Sequence, residues 1–345
     1  MQSFDVVCVG NAKIDLFLSI HEANKHLRLN AQTNELCFHS GEKIAVDGCN
    51  LSLGGNAANV AVGLSRLGLK SSLYAEIGDD ELSHKIINTL KKEDVHTENV
   101  KRSKDNECSI SVIINFKNER TIFSEHIKRL HDFVFDNLST KWLYLTSIGN
   151  EWKNAYERTS NFVKQTKTLL AFNPGTLQIN AGYESIADVL NVTNILFVNK
   201  EEATRISNLS PRARLDSARL GEAGKFLIFN EKDNKDIIKQ LLIKLQKLGP
   251  KIVVITDGDC GSYAIDEKGE IIAQAAIKTK IVEKTGAGDA YSTGFMSAIL
   301  HGLSIKDAMH WGTLNSASVI EKIGAQVGLL RKEEMEEKLK RISNS

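Results

Sequence analysis

Lys284-Thr285-Gly286-Ala287-Gly288-Asp289-Ala290-Tyr291 runs a glycine-rich turn straight into a helical pattern that ends near Gly302. Glycine lets the backbone approach a ligand closely, and the first N–H groups of the following helix have no internal partner and point outward. Their aligned dipoles place roughly half an elementary charge at that end, which suits an anion. Asp289 stands at the same helix start, where its carboxylate is expected to stay ionised and to accept a proton from an alcohol. Gly286, Ala287, Gly288 and Asp289 are therefore the candidate catalytic group. The plain alternative is a turn in which Asp289 only caps the helix. The spacing is not a phosphate-binding Walker A loop, because GxxxxGK[ST] is absent, and no third glycine follows Gly288 to make a dinucleotide fingerprint.

Four weaker constellations share the chain with it. Leu53-Gly54-Gly55-Asn56-Ala57-Ala58-Asn59 sets paired glycines before a helix bearing two amides one turn apart. Amides donate to and accept from hydroxyls, so Gly54, Gly55 and Asn59 are candidate substrate contacts, while Asn56 also reads as an N-cap. Val9-Gly10-Asn11-Ala12-Lys13-Ile14-Asp15 follows an apolar run and supplies Asn11 and Asp15, as substrate contacts or as solvated loop residues. Asn199 and Glu202 lie three apart at a helix start; such oxygen ligands suit magnesium, and a solvated helix N-terminus is the alternative. Thr256-Asp257-Gly258-Asp259-Cys260-Gly261 places Thr256, Gly258 and Gly261 to touch a ribose or phosphate, or forms only a hairpin-edge turn.

Elements must bring these pieces together. Apolar runs at 5–9, 71–77, 142–146, 169–173, 195–198 and 252–256 read as strands buried on both faces. Between them lie amphipathic helical patterns such as 57–67, stopped by Gly68, and 237–248, stopped by Gly249. Such alternation predicts a parallel, doubly wound sheet, which binds ligands at the carboxyl ends of its strands. All the constellations except 53–61 follow candidate strands. Residues 14–50 hold short mixed segments, 109–124 read as a hairpin, and a second hairpin at 262–265 and 271–275 is expected to edge the main sheet. The polar, basic stretch 207–230 reads as a loop-like insertion, and the end of the chain from 331 as a surface helix. Hydroxyl readers, an anion-holding helix start, a magnesium ligand and a base compose a kit for phosphoryl transfer.

Composition narrows the classes. Over 345 residues the formal net charge is +1, which offers no long-range field for nucleic acid or anionic lipid. No run is long and apolar enough to read as a membrane span. Five scattered cysteines, with no CxxC pair, read against a zinc site or disulfide framework and fit a reduced, cytoplasmic compartment. The nine histidines show no HExxH pattern and are read as structural or surface residues.

Gly54-Gly55-Asn56-Ala57-Ala58-Asn59 and Thr285-Gly286-Ala287-Gly288-Asp289, in that order and separation, resemble the two signatures of the ribokinase-like (PfkB-type) carbohydrate kinase family. The likeness runs from about residue 4 to 330. It implies a ribokinase-like α/β three-layer sandwich over residues 1–345, with a mostly parallel central sheet and a small β-sheet lid from approximately 14–50 and 105–125. It implies ATP-dependent phosphorylation of an alcohol group of a sugar or sugar-like molecule, with a nucleoside as second choice. Asp289 would match the base, and Gly286, Ala287 and Gly288 the anion hole. Asp15, Gly55 and Asn59, beside Asn11 and Gly54, would bind substrate hydroxyls. Glu202 with Asn199 would match a magnesium-linked motif, Thr256 and Gly258 with Gly261 the nucleotide contacts, and the segment from Asn315 to Gly324-Ala325 the adenine-side wall. The lid often doubles as a homodimer contact in this family.

Three departures stand out. Glu283-Lys284 replaces an Asp-Thr pair whose aspartate helps build a monovalent-cation site in many members, which weighs against potassium as a cofactor. Asn56 replaces a lysine of ribokinases and of some sugar-phosphate kinases, which weighs against both acceptors, and the 207–230 stretch is longer than the family leads one to expect. A non-catalytic binding protein on the same fold is the rival reading. It should have lost the base or the glycine turn, and both are intact.

Overall fold

β1 (Ser3–Val9) is apolar at consecutive positions because both of its faces are covered. Val6 and Cys8 pack into one core and Val7 and Val9 into another, and β10 (Ser139–Leu145) repeats the division with Trp142 and Tyr144 against Leu143 and Leu145. A sheet buried this way needs helices on each side, which makes three layers. The computed structural model describes residues 3–20, 25–30, 32–33, 35–104, 106–116, 119–125, 127–209 and 231–343. The 207–230 insertion beyond residue 209, and the hairpin tip at 117–118, lie outside the described residues.

The large sheet runs β15-β14-β13-β12-β11-β10-β1-β6-β7. Its further members are β6 (Ser71–Ile77), β7 (Val100–Arg102), β11 (Leu169–Phe172), β12 (Ile195–Asn199), β13 (Ile252–Thr256), β14 (Ser262–Ile265) and β15 (Ile271–Gln274). Pairing is parallel from β7 to β13 and antiparallel across β13-β14-β15, so the second hairpin edges the sheet as expected. From β1 the chain builds outward through β6 and β7, then returns to β10 on the other side and builds outward the opposite way. The carboxyl ends of β1 and β10 are thus a topological switch point, where a crevice opens. Asn11 N–H donates to Ser147 O across it at 3.1 Å.

A separate four-stranded sheet, in the order β5-β2-β8-β9, is built from β2 (Lys13–Ser19), β5 (Gly48–Gly54), β8 (Ile110–Phe116) and β9 (Glu119–Ser124). Its first segment ends at Gly54 instead of near 50, because β5 pairs with β2 along its whole length, from Lys13–Gly54 to Ser19–Gly48. A small hairpin, β3 (Leu27–Asn30) with β4 (Glu35–Phe38), packs Leu27 against Ile20 and Phe116.

Two helices carry the main constellations. Asn56–Arg66 lies against Ala287–Leu300, and Gly63 permits the contact: a Cβ there would stand 2.5 Å from Thr293 Cγ2. Arg66 anchors the first helix. Its Nε and Nη2 fork onto Glu93 at 2.8 and 2.7 Å, while Nη1 donates to the carbonyls of Gln326 at 2.7 Å and Leu329 at 3.1 Å. The fork holds Glu93 below the usual carboxylate range. Removing one partner of such a part-buried network strands the other. Arg66→Ala is expected to lower unfolding free energy by ~2–4 kcal/mol, read from urea midpoints at unchanged m-value.

Candidate active site

Gly286 precedes the helix Ala287–Leu300 in a left-handed conformation, φ 81° and ψ 0°. Any Cβ there would meet Ala325 Cβ at 2.6 Å. The turn therefore fits snugly against residue 325, and the helix start faces the opposite way. At Gly288 the same construction meets nothing within 4 Å. This side is open, and Ala287 and Gly288 form one wall of a cavity of about 150 Å³.

Asp289 follows immediately and is 7% exposed. Two amides of the helix Asn56–Arg66 turn toward it: Asn56 Nδ2 donates to Oδ1 at 3.1 Å and Asn59 Nδ2 to Oδ2 at 2.8 Å. Each amide is fixed from behind. Ser147 Oγ donates to Asn56 Oδ1 at 3.1 Å, and Gln326 Nε2 to Asn59 Oδ1 at 2.9 Å. Asn56 is thus no N-cap; Gly55 takes that position. Asn59, expected to read a substrate hydroxyl, commits one N–H of its amide to the carboxylate. The expectation that Asp289 stays ionised needs correction. Burial pushes its carboxyl up to about 7, against the opposing pull of Asn59 and Asn56. The helix start favours the anion, but loss of water outweighs it.

Asp15 lies beside this group in β2, not on a loop, and is buried. Burial raises it to about 6, opposed by Lys13 and by a hydrogen bond from Ser111. Gly54 makes room for it, since a Cβ there would fall 2.0 Å from Asp15 Oδ2. At Gly55, φ 91°, a Cβ would stand 2.5 Å from Asn11 O. Asp15, Asn11, Gly54, Gly55, Asn56, Asn59 and Asp289 are therefore brought to one place at the switch point. Lys13 joins them, its ammonium lowered by burial and supported by Asp15 and Asp289.

Glu283 is a second buried acid that sequence reasoning saw only as a departure. Its Oε1 accepts from Thr285 N–H at 2.8 Å and Thr285 Oγ1 at 2.6 Å, and Arg120 of β9 approaches to 3.6 Å. It pins the residue that opens the glycine turn.

Thr256, Gly258 and Gly261 line the 150 Å³ cavity. Asn315 does not. Its Nδ2 donates to Ala290 O at 2.8 Å and its Oδ1 accepts from Leu330 N–H at 2.9 Å, so it braces two segments inside the core. Thr313, Ser316, Ala317 and Ile320 line the cavity instead. They recur at helical i, i+3, i+4, i+7 spacing, and 315 falls off that face. Ala325 lies against the glycine turn and Gly324 beside Val327 and Ser52, and neither lines the cavity.

Asn199 and Glu202 form a reciprocal cap: Glu202 N–H donates to Asn199 Oδ1 and Asn199 N–H to Glu202 Oε2, both at 2.9 Å. The pair thus caps its helix, with the carboxylate drawn in from solvent. Burial also pushes Glu202 up to about 7, with Glu201 and Asp289 adding repulsion. Among the described residues, no group of three or more His, Cys, Asp or Glu is placed to hold a metal. Glu202 fits a cation bound mainly by ligand oxygens and water, the usual manner of magnesium.

Sequence reasoning did not find Ser147 or Gln326, which lie outside any motif. Ser147 was signalled only by the end of β10 meeting the end of β1.

Comparison with known proteins supplies an independent view. The profile described as pfkB family carbohydrate kinase matches residues 5–332. A nucleoside kinase of Methanocaldococcus jannaschii is 25% identical over 350 residues, covering 97% of each chain. A 5-dehydro-2-deoxygluconokinase of Lacticaseibacillus casei is 24% identical, covering 94% of this chain and 92% of its own. Among solved structures, Thermotoga maritima ribokinase superposes with a TM-score of 0.72 at 22% identity, covering 98% of this chain and 99% of its own.

The amide pair makes a direct prediction. Asn59→Ala removes a donor that favours the charged form, so the Asp289 carboxyl should titrate about one unit or more higher. Carboxyl ¹³C NMR, assigned with Asp289→Asn, measures it; an unchanged midpoint would refute the assignment of Asn59.

Proposed function

The chain belongs to the pfkB family of carbohydrate kinases, and we propose that it transfers the γ-phosphate of ATP to an alcohol group of a sugar or sugar-like acceptor with Asp289 as base. One observation carries this reading. The Asp289 carboxylate and the open amide face at Gly288 share one helix start, so a proton acceptor and an anion site lie side by side.

The acceptor hydroxyl attacks the γ-phosphorus in line. A new O–P bond forms, the bond from γ-phosphorus to the bridging oxygen breaks, and ADP leaves with that oxygen. The hydroxyl proton passes to Asp289 and later to solvent. The amides of Gly288 and Asp289 face the transferring group and stabilise its charge, while Ala287 N–H, which donates to Lys284 O at 3.3 Å, would join them only on release of that bond. Thr256, Gly258 and Gly261 hold the nucleotide, whose base lies against Thr313, Ala317 and Ile320. Asp15, Asn11 and the Gly54-Gly55 backbone orient the acceptor. Glu202 would hold magnesium through water, and the metal would offset charge on the phosphates. Placing a cation there also relieves the repulsion between Glu202 and Asp289. No potassium role is assigned: Arg120 already faces Glu283, where a cation would sit.

The small sheet is the lid. It brings Asp15 from β2 and Arg120 from β9, and its closure keeps out water that would compete as acceptor. Exposed Leu51, Ile122 and Phe123 on that sheet support a homodimer contact. Among the described residues no helix is long and apolar enough to cross a membrane. Free cysteines, including buried Cys8 and Cys108, fit the cytoplasm. A nucleoside acceptor is the second reading, favoured by the Methanocaldococcus jannaschii relative.

Asp289→Asn should bind ATP within about threefold of the parent by calorimetry yet lose ~10³-fold or more in kcat, since general-base catalysis contributes about 10²–10⁴. Retained turnover would overturn the base assignment. The base works ionised, so kcat/KM should rise with pH, with a midpoint near about 7, and level off above it. A flat profile from pH 5 to 9 would mean that another group takes the proton.

A further inference from the structure

Nδ1 and Nε2 of His131 and Nε of Arg129 are buried without a hydrogen-bond partner. These residues are 3% and 4% exposed. Both line one small cavity together with Asn11, Lys13, Ser109 and Gly149. It leaves about 20 Å³ for the centre of a water-sized group. One such group needs roughly 10–15 Å³ on that measure, so there is room for one polar atom with its hydrogens.

The neighbours cannot satisfy these atoms. His131 Nδ1 lies 4.0 Å from Glu76 Oε2, too far for a hydrogen bond. Glu76 is already engaged by the His131 backbone N–H and the Ser103 hydroxyl. The remaining Arg129 nitrogens hold Ser109 Oγ and Glu107 O. Burial keeps the imidazole down at about 4, hence neutral near pH 7, with one donor and one acceptor to offer. Lys13 and Arg129 face Glu76 and Glu125 around the cavity, so its charges cancel. A carboxylate or phosphate finds no net attraction there, whereas a group that both donates and accepts fits. A hydroxyl is that group. Asn11 and Lys13 belong equally to the acceptor wall, and Gly149 follows two residues after Ser147, which orients Asn56.

We propose that this cavity is a hydroxyl-reading subsite, in which a neutral hydroxyl of the acceptor, remote from the one phosphorylated, replaces water and bonds to His131 and Arg129. The proposal rests on the kinase reading. It moves His131 from structural residue to determinant of specificity.

The test uses ADP release by the full-length protein on D-ribose, D-fructose, adenosine and inosine, followed by every monodeoxy analogue of the best acceptor. One analogue, lacking a hydroxyl other than the phosphorylated one, should lose ~100-fold or more in kcat/KM, since sites built to bond a hydroxyl reject analogues without it. His131→Phe removes the donor and acceptor, and that ratio should fall below about tenfold. His131→Gln, which keeps both, should restore part of it. Gly149→Ala guards against misfolding of the histidine variants. Its new methyl would stand 3.3 Å from His131 Nε2 and narrow the cavity, so the ratio should fall there too. If every variant lowers parent and analogue in the same proportion, the cavity holds only structural water and the proposal is wrong. Equal use of all non-reacting deoxy analogues by the parent protein overturns it as well. No ADP release from any acceptor would sink the kinase reading itself, and this subsite with it.

Discussion

A carboxylate removed from water must be given donors or a proton, and Asp289 receives two donors from a helix more than 200 residues earlier in the chain. Much of the architecture follows from keeping those donors in place. Asn56 and Asn59 sit three apart, so one turn of helix aims both amides the same way. That helix must then lie tight against the helix of Asp289, which requires Gly63 at the contact. It must also not slide, and Arg66 fixes its far end to the 326–329 segment. That segment in turn supplies Gln326, which orients Asn59. Support and supported therefore form one closed circuit around the carboxylate.

Neutral amides hold the charge without cancelling it. A lysine or arginine in direct contact would stabilise the anion further and leave a weaker base. Burial raises the carboxyl and the amides restrain the rise, so proton affinity comes to rest near neutral pH. Asp15, Glu202 and Asp289 are all made weaker acids, each chiefly by burial, with repulsion from Asp289 adding to the effect at Glu202 and from Asp15 at Asp289. Acids buried this close together repel one another when ionised.

The fold was largely legible because its signals are local. Consecutive apolar positions at 6–9 and 252–255 announce strands covered on both faces, and Gly68 and Gly249 stop helices where a positive φ is required. The glycine turn was legible for the same reason, since Gly286, Gly288 and Asp289 fall within four residues. What failed was orientation. Asn315 looked like a ligand contact, but helical phase turns it inward, and two backbone partners distant in sequence claim its amide. Asn199 and Glu202 satisfy each other as a cap, a pairing that spacing permitted but could not choose. Ser147, Gln326 and His131 gave no local signal, because each matters only through what tertiary packing sets opposite it.

Sheet topology explains why such distant residues meet. At the β1–β10 junction the chain leaves in opposite directions, so loops diverge there and open a crevice. The junction gathers Asn11 and Ser147 by backbone pairing alone, before any side chain contributes. The small sheet begins at the same point, because β2 follows β1 after a gap of three residues. A covering sheet rooted at the switch point places its first residues, Lys13 and Asp15, beside Asp289. Under the proposed function, closure of that sheet and recognition of the acceptor would be mechanically inseparable, with specificity set where the cover hinges onto the crevice.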